Sequence, residues 1–183
     1  MSNVTINSDK IFLFKQWNKN IFKLNLNTGS VIMMPKPPGG VQLTTYVEFL
    51  KSLKVDCVVS LLQQAEMERF SLIQEGQQCR EMNIDFIHFP IQDHNVPQFF
   101  LPYNQLIEKL LRLVNENKTI AIHCYAGIGR TGLTAASLLI KKGIQVDMAL
   151  MKLSKIRGLK VPETIDQITW LHRHNKQLLG SFL

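Results

Sequence analysis

Short β-branched runs alternate along this chain with longer stretches of helical periodicity. That alternation predicts an α/β protein, a mostly parallel central sheet flanked by helices. A second observation agrees: residues 119–142 read as a strand, a glycine-rich loop and a helix in direct succession, the connection that parallel strands require. A third is size. The chain has 183 residues, 45% of them hydrophobic and 19% charged, enough for one ordinary core.

Taken in order, residues 10–17 and 21–26 flank Asn18-Lys19-Asn20 and read as an N-terminal β-ribbon. Residues 30–34 read as a further strand, ended by Pro35-Lys36-Pro37-Pro38-Gly39-Gly40. Residues 43–53 carry helical spacing, and residues 57–62 form a short buried strand. Residues 66–82 read as one amphipathic helix, residues 84–91 as a strand and residues 92–100 as a loop. Residues 101–117 form a helix with Leu106, Leu110, Leu113 and Val114 on one side. Residues 119–123 are the next strand, and the remainder is helical over residues 131–142, 146–156 and 162–179. Pro162 and Glu163 suit the first turn of the last helix.

The formal net charge of +7 favours anionic partners, with phosphoprotein, nucleic acid and membrane surface all open on charge alone. Three cysteines, Cys57, Cys79 and Cys124, form no short-spaced pair, which argues against a disulfide framework or a zinc site and for a reducing compartment. Residues 11–14 are too short for a signal-peptide core, and no apolar stretch reaches membrane-spanning length. The expectation is therefore a cytoplasmic location without membrane insertion; oligomeric state is not readable.

The chemistry concentrates in His123-Cys124-Tyr125-Ala126-Gly127-Ile128-Gly129-Arg130-Thr131-Gly132. Successive amides from Tyr125 through Ala126, Gly127, Ile128 and Gly129 to Arg130 can converge on one anion, because Gly127 and Gly129 permit the backbone angles needed. The helix that follows adds positive potential at its N-terminus. Arg130 supplies a planar fork matched to two phosphate oxygens. The same surroundings favour a thiolate, so Cys124 is expected to be nucleophilic at neutral pH. His123 is expected to support the loop through hydrogen bonds, and Thr131 to stabilise the sulfur as a leaving group. Cys57 and Cys79 have no such partners and read as core thiols.

This string resembles the HCxxGxxR[ST]G signature of the cysteine-dependent protein tyrosine and dual-specificity phosphatases and matches it at every fixed position. The order of elements resembles that of the compact dual-specificity branch that includes kinase-associated phosphatase. The resemblance implies a tyrosine-phosphatase-like fold, with residues 1–183 as a single phosphatase domain. Residues 1–40 would be a ribbon-and-loop extension and residues 41–183 the catalytic core. It implies turnover through a cysteinyl-phosphate without metal or cofactor, on a phosphorylated protein substrate: phosphotyrosine, with phosphoserine and phosphothreonine as candidates.

Expelling an alkoxide or phenolate needs a proton donor. Asp93 follows a strand in a loop ended by Pro97, and the family carries its acid in a loop of this form. The resemblance also points to Gln167 as the residue that orients the attacking water, and Arg157 is expected at the rim. Three alternatives stay open: a phosphatase of RNA 5′-phosphates, a phosphoinositide phosphatase, and a phosphoprotein-binding module of low turnover. Tyr125 and Ile128, where phosphoinositide members usually carry lysines, count against the second.

Overall fold

The computed structural model describes residues 8–180. The first seven residues of the expected extension lie outside them. Among the described residues, five strands form one sheet in the order β1-β2-β5-β3-β4: β1 (Phe22–Asn25), β2 (Ser30–Met34), β3 (Cys57–Ser60), β4 (Asp85–His88) and β5 (Thr119–His123). Only β1 is antiparallel to its neighbour; β2, β5, β3 and β4 run parallel. β2, β3 and β5 are buried along their whole length, as continuous apolar runs in a parallel sheet should be.

The helices cover both faces. On one lie α1 (Ser8–Asn18), α2 (Leu43–Ser52), α3 (Gln64–Arg69) and α4 (Glu75–Glu81), packed over Ile32, Met34, Val58 and Ala121. On the other lie α5 (Phe100–Asn115), α6 (Gly129–Lys141), α7 (Val146–Arg157) and α8 (Ile165–Leu179), packed over Val31, Met33, Val59, Ile120 and Ile122. The alternation of faces along each strand follows from the two-residue period of the pleat. α6 is central: every residue from Gly129 to Ile140 is buried.

Three expected elements differ from the structure. Residues 10–17 are helical, so the ribbon is made instead by β1 with β2. The apolar run Ile11-Phe12-Leu13-Phe14 is short enough to suit either element, and tertiary packing decides. Phe14 and Trp17, one turn apart, reach Tyr46 and Phe49 on α2, with Trp17 4.9 Å from Tyr46 and Phe14 5.1 Å from Phe49 between ring centroids. The last helix starts at Ile165, with Thr164 as its cap, so Pro162 and Glu163 precede it rather than form its first turn.

The single helix expected over residues 66–82 is two, α3 and α4, broken where Ser71 takes a φ of 56°. The break receives the proline-glycine loop after β2: Gly40 donates its N–H to Ser71 O, and a Cβ on Gly39 would lie 1.8 Å from Phe70 O. In an unbroken helix Glu66 and Glu75 would point about 180° apart. The break turns both toward the carboxyl end of β5.

The aromatic seat of α1 gives a direct test. Trp17→Ala is expected to cost about 1–2 kcal/mol in urea unfolding, through lost ring contacts and apolar burial. An unchanged midpoint would show that α1 does not pack as described.

Candidate active site

The parallel strands all end at the same edge of the sheet, where ligands bind in open α/β folds. Four connections meet there: the loop after β2 (35–40), the β3–α3 turn, the loop after β4 (89–99) and the loop between β5 and α6. Cys124 opens the last of these and is 3% exposed. A surface cleft of about 650 Å³ lies at the opposite edge between Lys23, Asp56 and Thr119, and does not include Cys124.

The β5–α6 loop is held from outside by its carbonyls. Lys36 donates its N–H to Tyr125 O at 3.0 Å. Arg157 donates from Nη2 to Ala126 O at 3.1 Å and from Nε to Gly127 O at 3.2 Å. In a planar trans peptide the N–H points opposite to the preceding C=O. Fixing those three carbonyls outward therefore turns the amides of Ala126, Gly127 and Ile128 into the loop. Arg157, expected at the rim, is thus a clamp on the loop, with its guanidinium 4.0 Å above the Phe22 ring. Burial draws its pKa below the ordinary value, while the charge of Cys124 pulls it the other way.

The two loop glycines act differently. Gly127 has a φ of 69°, and a Cβ there would lie 2.4 Å from the Met34 carbonyl group; both angle and space demand glycine. Gly129 is already the first residue of α6, not a positive-φ position. Its missing side chain makes room instead: a Cβ would approach Glu163 at 3.1 Å and Gln167 at 3.2 Å.

Arg130 is 1% exposed and almost fully engaged. Nη1 donates to Glu66 Oε2 at 2.7 Å, Ile91 O at 3.0 Å and Leu61 O at 3.4 Å. Nη2 donates to Glu66 Oε1 at 2.9 Å and lies 2.8 Å from Asp93 Oδ1. Among the described residues Nε is buried without a partner, as is Thr131 Oγ1. Burial opposes the charge of Arg130, but its hydrogen bonds to Glu66 and the charges of Cys124, Glu66 and Asp93 outweigh that and raise its pKa. For Glu66, burial would raise the carboxyl; the hydrogen bonds from Arg130 and from Gln63 N–H, with the Arg130 charge, bring it below its usual range.

Asp93 is half exposed and forms the inner end of a row of ionisable side chains. His94 Nε2 lies 3.6 Å from Asp93 Oδ2, and its Nδ1 lies 3.7 Å from Glu163 Oε2. Gln167 is fully buried. Its Oε1 accepts from Glu163 N–H and Thr164 N–H, each at 3.2 Å, and its Nε2 donates to Asn95 O at 3.0 Å. It joins the start of α8 to the loop that carries Asp93.

Tyr125 is half exposed and packs its ring 5.3 Å from Phe70. The Lys36 ammonium sits 4.6 Å above the other ring of that pair, Phe70. His123 points to the opposite face of the sheet, fully buried, with Nε2 2.9 Å from Glu75 Oε1. Cys57 and Cys79 are buried core thiols whose pKa values burial pushes up to about 12.

Sequence reasoning missed Glu66 and Glu75. Glu66 carried one usable signal: it stands three residues after Gln63 in a capping arrangement, directly behind a strand that pairs with β5. Glu75 carried none, because a continuous helix would have pointed it away.

The family model described as "Polymorphic toxin system, DSP-PTPase phosphatase" matches residues 34–144, more than half of the chain. Human cyclin-dependent kinase inhibitor 3 is 32% identical over 136 residues, covering 72% of this chain and 62% of that protein. Tyrosine-protein phosphatase 1 of Dictyostelium discoideum is 26% identical over 160 residues, covering 80% of this chain and 30% of that protein. The chain thus spans less than two thirds of the length of these relatives. The structure of kinase-associated phosphatase, with its catalytic-site cysteine replaced by serine, superposes with a TM-score of 0.78 at 25% identity, covering 89% of this chain and 97% of that one.

Two outcomes check this geometry. Iodoacetamide at neutral pH is expected to label Cys124 and spare Cys57 and Cys79, as read by peptide mapping; labelling of the two core thiols at a similar rate would contradict their burial. The lowered pKa of Glu66 stabilises the fold above the ordinary carboxylate range, and that stability is lost as pH falls through the folded-state value. Glu66→Gln should therefore flatten the acid side of the stability–pH curve and lower stability at neutral pH. A variant curve parallel to the wild-type one would refute the pairing.

Proposed function

The chain belongs to the DSP-PTPase phosphatase family of polymorphic toxin systems, and on that premise we propose that it hydrolyses phosphate monoesters of proteins, phosphotyrosine first, through a cysteinyl-phosphate on Cys124. The observation that carries this reading is the unpartnered Nε of Arg130. Every other donor of that buried guanidinium has a protein acceptor, so Nε is the one available to an incoming oxyanion.

The chemistry runs in two balanced steps. The phosphate dianion enters the loop and takes donors from the amides of residues 125–130 and from Arg130 Nε. Asp93 then leaves Arg130 and takes a proton from solvent, and the freed Nη2 proton completes a fork on two phosphate oxygens. Cys124 Sγ forms a bond to phosphorus as the bond from phosphorus to the ester oxygen breaks, and protonated Asp93 gives its proton to that oxygen. In the second step water attacks phosphorus, Asp93 takes a proton from it, and the sulfur departs as thiolate. Thr131 Oγ1, buried without another partner among the described residues, donates to that sulfur. No step requires a metal ion or a cofactor.

Gln167 is assigned a different task from the water-orienting one expected from the resemblance. With its amide bonded to Glu163, Thr164 and Asn95, it positions the Asp93 loop. The paired rings of Tyr125 and Phe70 offer an apolar wall to a phosphotyrosine ring, which favours protein over RNA 5′-phosphate or phosphoinositide. Residues 41–183 are proposed as the catalytic core, with Lys36 and the residues around it forming part of the pocket wall.

Cys124→Ser is expected to abolish phosphate release from a phosphotyrosine peptide, with wild-type turnover unaffected by a chelator. Release that survives the substitution, or that needs added magnesium, would remove this reading. Asp93→Ala should lower kcat about 10²- to 10⁴-fold for the peptide and far less for an aryl phosphate with an acidic leaving group. Equal losses on both substrates would deny Asp93 the role of acid.

A further inference from the structure

The cleft of about 650 Å³ opens at the amino ends of β2, β3 and β5, at the edge of the sheet opposite Cys124. Three lysines reach its walls: Lys23 from β1, Lys51 from α2 and Lys54 from the turn between α2 and β3. The one carboxylate lining it, Asp56, is already engaged. Its Oδ2 accepts the Thr119 N–H at 2.8 Å, and its Oδ1 lies 3.4 Å from Lys118 Nζ. Lys51 Nζ donates to Asn83 O at 3.2 Å, whereas the ammonium groups of Lys23 and Lys54 meet no acceptor among the described residues. Deeper in, Ser30 Oγ and Thr119 Oγ1 are buried and 2.9 Å apart. One hydroxyl donates to the other, so the second keeps a proton with no acceptor among the described residues. The groups left unused are mostly donors, and the foremost of them carry positive charge.

Lys54 also stands at a backbone position that does not suit lysine. Just past α2, Val55 donates its N–H to Leu50 O at 3.1 Å and Lys54 to Lys51 O at 2.9 Å, with Lys54 held at a φ of 60°. This is the left-handed close of a helix, where glycine is favoured. Six other helices close in the same way among the described residues. Gly143, Gly158 and Gly180 end α6, α7 and α8; Asn83 and Asn117 end α4 and α5; Ser71 ends α3. All six are glycine or a short polar residue, and α2 alone among the seven puts a long side chain there. A cation near a helix C-terminus gains from the dipole, but Lys51 in the last turn of α2 already supplies one. A residue that departs from a local rule with no contact to offset it points to function rather than fold.

We propose that this cleft binds a nucleotide-sized phosphate ester, with Lys23 and Lys54 on its phosphate groups and the Ser30–Thr119 hydroxyl pair donating to an oxygen beneath them. Ammonium groups meet phosphate oxygens through charge-assisted hydrogen bonds. The volume lies in the range that holds small organic ligands and far exceeds one phosphate ion. Asn25 and Asn117 line the same cleft, and each side-chain amide both donates and accepts, which suits the hydroxyls and ring nitrogens of such an ester. The site shares no residue with the loop that carries Cys124 and Arg130. The inference therefore stands or falls apart from the chemistry proposed there.

Backbone amide NMR of the wild-type chain during addition of ADP reads the cleft residue by residue. The signals of Gly29, Lys54 and Asn117 should move together and saturate with a Kd below about 1 mM. Lys54→Gly and Lys23→Met should each raise that Kd about tenfold. The Tm of Lys54→Gly should hold or rise, because glycine suits a left-handed helix end. Cleft signals that stay still at millimolar ADP, or shifts confined to residues 124–130, overturn the proposal. So does a Kd unchanged in both variants, whatever their Tm. Inorganic phosphate that saturates the same signals as tightly as ADP leaves only an ion site and rejects the ester. A poly-glutamate peptide that displaces ADP at lower concentration assigns the cleft to an acidic protein segment and rejects it too.

Discussion

One buried guanidinium organises this site. Arg130 stands at the start of α6 and bonds to Leu61 O at the end of β3, Ile91 O beyond β4 and both oxygens of Glu66 on α3. These contacts join the β3–α3 connection and the loop after β4 to the loop that carries Cys124. A buried cation is tolerable only when its donors are satisfied, so each of these partners is also a condition for folding. The same requirement singles out Nε, the donor left for an anion. In the proposed function the arginine is therefore at once a structural tie and the binding element.

The sheet makes that tie attainable. β5 lies between β2 and β3, so the loop after it is flanked on both sides by backbone that ends at the same edge. Met34 at the end of β2 excludes any side chain at Gly127, and Lys36 and Arg157 fix the loop carbonyls outward. The loop proposed as an anion cradle is thus built mostly from constraints behind it. The interruption between α3 and α4 completes the arrangement: it aims Glu66 at Arg130 on one side of the loop and Glu75 at His123 on the other.

Much of this was legible in the sequence, for definite reasons. The parallel strands are continuous apolar runs, and their periodicity separates them from the amphipathic helices. The Cys124–Arg130 spacing, with Gly127 between, describes a loop whose geometry is local, so residue order alone exposes it. What escaped depends on distant packing. The 10–17 segment becomes helical because Phe14 and Trp17 find Tyr46 and Phe49 on α2. The break at Ser71 exists because Gly39 and Gly40 dock there. Glu66, Glu75 and Arg157 act through partners 64, 48 and about 30 positions away in sequence, beyond the reach of any local pattern.

The account stands on sulfur taking the phosphoryl group. Its most direct measurement is a rapid acid quench of the protein with a phosphotyrosine peptide labelled at phosphorus, followed by mapping of the label. The account predicts a transient phosphate bound through sulfur to the peptide that contains Cys124, formed and discharged at rates compatible with turnover. Turnover with no label on that peptide at any time, or label on a serine, histidine or aspartate instead, would contradict it.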